Sequence, residues 1–178
     1  MGSYFEVEKT DIIRMPHSGI RNDCSKGTNF LGPIDVGPKI NASVLETKEL
    51  YGPLGKTEPT DWLQIWFIPE IGSSEDIPLK KLLVTYIKKE SLQNYRNNED
   101  RVIRGIEKGE YKNPADPVYT TTFIPKMGIA PYFVLGWKIR KRTDKDNSLE
   151  ELAAFYKKNH ERFIDSRESS PSFKRVQD

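Results

Sequence analysis

The amino-acid sequence predicts an α+β fold, in which a twisted antiparallel sheet or a partly open β-barrel has a C-terminal helix packed on it. Short apolar runs separated by turn residues predict the strands, and the segment 118–142 has the pattern of a β-hairpin. One long amphipathic segment follows that hairpin and predicts the helix. Because 178 residues suit one domain, we expect a single domain over 1–165 and a polar tail over 166–178.

The first part of the domain, residues 16–59, is expected to be rich in loops. It holds eleven of the chain's 24 glycine and proline residues, and such a density excludes a long helix. A short strand is expected near 40–45. Further strands are expected near 61–68, 80–87, 118–126 and 132–142.

Residues 61–70, DWLQIWFIPE, predict a central strand, because aromatic and β-branched residues dominate and Pro69 closes the run. Both faces of this strand are apolar, so both need a cover. Trp62 and Trp66 share one face. That pattern favours burial under a loop or helix, and the alternative is an exposed platform on which bases stack.

Two main helices are expected, over 99–108 and over 149–165. A third, short helix is expected at 91–96, and Asn97 and Asn98 are expected to separate it from the helix at 99–108. Ser148 and Glu151 have the spacing of a capping box at the start of the second helix, and apolar residues continue on one stripe as far as Ile164.

Composition narrows the function classes only partly. A net charge of +2 does not by itself indicate a nucleic-acid-binding protein. The single cysteine, Cys24, excludes an intrachain disulfide and suits a reducing compartment, so we expect a cytoplasmic protein. No apolar run is long enough for a membrane helix, and no membrane partner is expected. His17, Cys24 and His160 lack the spacing of a zinc site, and we expect no cofactor.

The last predicted strand has two different edges. Period-two alternation places four core residues on one side, namely Phe133, Leu135, Trp137 and Ile139. The other side is a candidate binding face, because it carries Tyr132, Gly136, Lys138, Arg140 and Arg142. From Lys126 to Arg142 there are five cations and no acid.

This pattern predicts a non-enzymatic protein that binds nucleic acid or belongs to a nucleoprotein assembly. Lys126, Lys138, Arg140 and Arg142 would meet phosphates, and Tyr132 or Trp66 would stack on bases. DNA and RNA are both possible. Asp144 and Asp146 lie close enough in sequence to neutralise part of this charge.

Two other functions remain open. An adaptor or inhibitor would bind a protein partner through the loops rich in glycine and proline. The third alternative comes from Asp35, followed by an apolar run that ends in Glu46 and Lys48. This short pattern resembles the metal-dependent PD-(D/E)xK nucleases, and the resemblance implies Asp35 and Glu46 as Mg²⁺ ligands and Lys48 as an electrostatic helper.

Overall fold

The structure is a computed structural model that describes Ile13, residues 19–169 and residues 172–175. It has nine strands and two α-helices in these ranges. The strands are β1 (Gly19–Asp23), β2 (Thr28–Leu31), β3 (Ile34–Gly37), β4 (Asn41–Gly52), β5 (Thr60–Pro69), β6 (Leu83–Ile87), β7 (Val118–Met127), β8 (Pro131–Arg140) and β9 (Lys174–Arg175). The helices are α1 (Lys89–Glu107) and α2 (Leu149–Asn159).

The predicted α+β fold is confirmed. Eight strands form one curled sheet in the order β3-β2-β1-β6-β5-β4-β7-β8, and β9 pairs with β4. Neighbouring strands are antiparallel except β1 and β6, which are parallel. The curl turns the sheet into a half-barrel, with α1 on its inner face and α2 on its outer face.

The central strand β5 is buried on both faces, as its sequence predicts. On the inner side, Leu63, Ile65 and Phe67 pack with apolar residues of α1. On the outer side, Trp66 is 1% exposed and stacks on Phe163 with 5.2 Å between ring centroids. Aromatic pairs of this kind stabilise a core beyond their area alone. The cover that both faces require is therefore supplied by the protein itself.

Helix α1 is continuous, and the predicted break at Asn97 and Asn98 is wrong. Asn98 is 2% exposed, and its amide donates to the carbonyl oxygens of Asn94 and Trp137. Asparagine disfavours a helix because its side chain competes for backbone groups. Here that side chain is occupied by the neighbouring strand, so the helix runs through.

The outer edge of β8 is covered by polar side chains of α1. The Leu135 N–H donates to Ser91 Oγ at 3.0 Å, and Asn94 Nδ2 donates to the Leu135 carbonyl oxygen at 3.0 Å. Asn98 Nδ2 donates to the Trp137 carbonyl oxygen, which is the next one along β8 that points away from β7. These three helix residues are spaced three and four apart and so share one face. The edge strand is thereby closed to pairing with another chain.

The C-terminal region differs from the prediction in two ways. Helix α2 ends at Asn159 rather than near 165, and 3₁₀ turns follow at His160–Arg162 and Ser166–Ser169. The expected tail also docks in part, because Phe173 is buried and β9 adds a short strand beside β4. Neither described helix is long and apolar enough to cross a membrane.

Candidate functional site

The cationic face predicted on β8 is largely neutralised in the structure. The guanidinium of Arg140 donates to both carboxylate oxygens of Asp146, at 2.7 and 2.8 Å. The Asp146 side chain has no exposed area. Burial alone would raise the pKa of Asp146, but the hydrogen bonds from Arg140 and from the Thr143 backbone outweigh it and hold the pKa below its usual range.

This ion pair predicts a pH dependence of stability. Because the pKa of Asp146 is lowered by folding, its stabilisation is present above the ordinary value of 3.8 and disappears as the pH falls below it. At neutral pH, Asp146→Asn should lower the free energy of unfolding by about 1–3 kcal/mol. Chemical denaturation at a series of pH values should show the two curves converging as the pH falls through the lowered pKa of Asp146. Asp144→Asn, at an exposed neighbour, is the control, and an equal effect of both variants would contradict the assignment.

Arg142 is more deeply engaged than Arg140. Its side chain is 8% exposed and forms an ion pair with Glu70, at 3.2 Å between Nη1 and Oε2. It also donates to the carbonyl oxygens of Ala115, Asp116 and Asn147. Arg142 therefore ties three segments together, and its guanidinium is not on an open surface.

Two further residues that the sequence associates with binding, Trp66 on β5 and Gly136 on β8, are also inside the protein. The ring of Trp66 is buried against Phe163 and has no face open to a base. At Gly136, a Cβ atom would lie 2.5 Å from Cδ1 of Ile124, so the space above this glycine is filled by the facing strand. Lys126, Tyr132 and Lys138 are exposed as predicted. Nucleic-acid binding stays a prediction, and it depends on these three residues.

The residues of the nuclease resemblance are not brought together. Asp35 lies on β3 at one end of the sheet, where its carboxylate accepts from Thr28 Oγ1 and the Gly37 N–H. Glu46 and Lys48 lie on β4, and four other strands separate β4 from β3 in the sheet. Glu46 accepts from Tyr156 Oη at 2.9 Å, and Lys48 donates to the Phe163 carbonyl oxygen at 2.6 Å. These contacts anchor the C-terminal region, and the described residues include no group of acids, histidines or cysteines suited to a metal.

A cleft of about 510 Å³ opens where β1 and β6 separate. The two strands pair only through Gly19 with Val84 and Ile20 with Thr85. Beyond these pairs, the loop between β4 and β5, the start of α1 and the C-terminal region close the sides of the gap. Its walls are mainly apolar, formed by Ile20, Leu54, Trp62, Tyr86 and Ile87. This volume is in the range of small-molecule sites.

Three cations line this cleft, and they differ in their partners. Arg21 pairs with Asp23 at 2.9 Å, and Arg167 pairs with Asp165 at 2.7 Å. Lys88 has no carboxylate partner within the part of the chain that the structure describes. Its Nζ lies 4.9 Å from the centroid of the Trp62 ring, a cation–π contact.

Local backbone geometry places Lys88 in the cleft. The strand β6 ends at Ile87, Lys88 remains extended at φ −142°, and Lys89 then adopts a positive φ of 51° as α1 begins. A positive φ is uncommon for a residue with a side chain. The sharp change of direction separates the adjacent lysines, and only Lys88 lines the cleft.

Cys24 also lines the cleft and is half-buried. Burial raises the pKa of its thiol, Asp23 adds to the increase, and Lys88 opposes it in part. The thiol is therefore protonated at neutral pH and is a poor nucleophile. His17, the histidine nearest to Cys24 in the sequence, lies outside the described residues.

Sequence reasoning does not find this cleft, because its residues come from five separate segments between Ile20 and Arg167. Lys88 follows an apolar strand as one half of a Lys-Lys pair, which is also the pattern of a solvated strand end. Arg167 falls in the segment expected to be a tail. Comparison of the chain with protein families, with curated proteins and with solved structures finds no match.

Proposed function

We propose that this protein binds a small molecule that carries an anionic group on an apolar body. The observation that carries the proposal is the ammonium of Lys88, which lines an apolar cleft without a carboxylate partner among the described residues. A cation beside apolar walls attracts an anion strongly, because less water screens the charge there. An incoming carboxylate, sulfonate or phosphate would supply the missing counter-charge.

The apolar walls of the cleft favour a ligand whose body, apart from its anionic group, is apolar. Trp62 and Tyr86 lie edge to face, 6.5 Å apart, and present aromatic surface to the cleft. Arg21 and Arg167 add positive charge, although each already has a carboxylate partner. An alkyl or aromatic body of about ten to fifteen heavy atoms suits a cleft of this size.

A pair of ligands that differ only in charge tests the proposal. Dodecanoate and dodecanol have the same chain, so the difference in their affinities measures the contribution of the carboxylate. Calorimetric titration should show tighter binding of dodecanoate. Lys88→Met should weaken dodecanoate binding by about tenfold to a hundredfold, the value of one charge-assisted hydrogen bond, and should leave dodecanol binding unchanged.

Lys89→Met is the matched control, because it removes the same charge one residue away and outside the cleft. It should leave both affinities as in the unmodified protein. Cys24 gives an independent measurement, since it is the chain's single cysteine and lines the same cleft. Bound dodecanoate should slow its alkylation by iodoacetamide. Equal dodecanoate affinities for Lys88→Met and Lys89→Met would overturn the proposal.

A further inference from the structure

The tip of the β7–β8 hairpin presents apolar side chains to solvent. All residues from 124 to 132, IPKMGIAPY, are exposed. Met127 is 81% exposed, and Ile129 is fully exposed at the turn. Large apolar side chains clustered at one protruding point indicate an interaction surface.

The hairpin is unsuited to partners that add a strand. The outer edge of β8 is occupied by side chains of α1, and the Phe133 N–H donates to the Cys24 carbonyl oxygen at 2.8 Å. On β7, the Thr121 N–H points outward to the Ile40 carbonyl oxygen. The same alternation places Pro125 outward, and proline has no N–H to offer a neighbouring strand. The tip must therefore make its contacts through side chains.

The residues that flank the tip are those of a polar–apolar boundary. Lys126 and Tyr132 lie opposite each other across the hairpin. Both have a polar end on an apolar stem, a shape that suits the boundary between lipid headgroups and acyl chains. Two to three residues of extended chain beyond them reach about 7–10 Å, which matches the depth of a shallow insertion.

The charge of the hairpin itself is positive. No acid occurs between Asp116 and Asp144 in the sequence. Lys26 lies in the turn beside the hairpin, where Gly27 lies against the Phe133 ring. The acid of the same turn, Asp23, is paired with Arg21. Glu90 is the acid in contact with the flanking pair, at 3.9 Å from Lys126 and 3.4 Å from Tyr132. Such a surface is complementary to one rich in anionic headgroups.

We propose that the hairpin tip docks on an anionic lipid bilayer, with Met127 and Ile129 inserted among the lipids and Lys126 and Tyr132 at the headgroups. This is contact at the surface and involves no membrane-spanning segment. The proposal does not depend on the ligand of the cleft. The contact of Phe133 with Cys24 nevertheless places the cleft beside the hairpin, so docking would bring the cleft close to the bilayer.

Co-sedimentation with vesicles tests the proposal. The full chain should bind vesicles made of equal parts phosphatidylcholine and phosphatidylglycerol, and should bind pure phosphatidylcholine more weakly. The double variant Met127→Ser/Ile129→Ser should bind the mixed vesicles at least about tenfold more weakly. The control Ile103→Ser/Ile164→Ser removes two isoleucines that are 53% and 61% exposed elsewhere, and it should bind as the unmodified protein does.

Several outcomes would overturn this assignment. Absence of vesicle binding by the unmodified chain, or equal binding by the tip variant, would exclude insertion. Dimerisation in sedimentation velocity that the tip variant abolishes would assign the tip to a second copy, and a tip-dependent gel shift of duplex DNA would assign it to nucleic acid. The tip variant should retain dodecanoate affinity, so failure here is distinguishable from failure of the proposed ligand site.

Discussion

Replacement of Arg142 by Met is expected to lower the free energy of unfolding by about 3–5 kcal/mol, the usual result of removing one partner from a buried ion pair. Glu70 is 2% exposed, and its carboxylate would lose the guanidinium that neutralises it. The remaining hydrogen-bond donors to Glu70 are Ser43 and Asn147, and both are neutral side chains. Three backbone carbonyl oxygens would also lose their donors.

Chemical denaturation followed by circular dichroism measures this effect. Lys138→Met is the control, because it removes an exposed cation four residues before Arg142, on β8, and should change stability by less than about 0.5 kcal/mol. The double variant Glu70→Met/Arg142→Met should cost less than the sum of the single changes, since neither charge is then left buried alone. Equal stabilities of Arg142→Met and Lys138→Met would contradict the structural role of Arg142.

This expectation affects how the hairpin is tested for nucleic-acid binding. A variant that removes Lys138, Arg140 and Arg142 together would lose two structural ion pairs. Any loss of binding would then reflect unfolding as readily as lost contact. Lys126→Met/Lys138→Met is the informative variant, because Lys138 makes no ion pair among the described residues and Lys126 pairs only with Glu90 on the surface.

Replacement of Phe163 by Ala should lower the free energy of unfolding by about 3–5 kcal/mol. Phe163 has no exposed area and contacts three aromatic rings, those of Trp66, Phe155 and Tyr156. Its removal would leave a cavity where the C-terminal region meets the sheet. Strands β4 and β5 cannot move inward to fill this cavity, because they are held in a rigid, hydrogen-bonded sheet.

The adjacent residue supplies the control for Phe163→Ala. Ile164 is 61% exposed, so Ile164→Ala should change stability by less than about 0.5 kcal/mol. Thermal or chemical unfolding of the two variants measures the difference. If Phe163→Ala were as stable as Ile164→Ala, the C-terminal region would not depend on this packing, and the Trp66 face would need another cover.

The basic residues at the end of β8 are less suited to bind an external anion than Lys88 is. Arg140 and Arg142 face acids within the same chain, whereas Lys88 lines an apolar cleft and has no acid partner among the residues that the structure describes. An unpaired cation near apolar walls has more to gain from an external anion than a paired cation has. The same reasoning separates Lys88 from Lys89, although the two are adjacent and identical.

Periodicity determined much of the fold from the sequence alone. The alternation in β8 identified Leu135 and Trp137 as core residues, because side chains of a strand point to opposite faces in turn. The continuous apolar run of β5 predicted burial on both of its faces. The capping pair Ser148 and Glu151 identified the start of α2, where the Glu151 N–H donates to Ser148 Oγ at 3.1 Å. These signals are local, so a single sequence contains them.

Partners distant in sequence were decided only by the tertiary structure. Arg142 meets Glu70 across 72 positions, and Asn98 is held by Trp137 from another element. The position of the cleft depends on where β1 and β6 stop pairing. No local sequence pattern predicts which residues of the two strands pair. Charge on a strand is visible in the sequence, but whether that charge is free depends on which acids the fold brings to it, because ion pairing acts between neighbours in space.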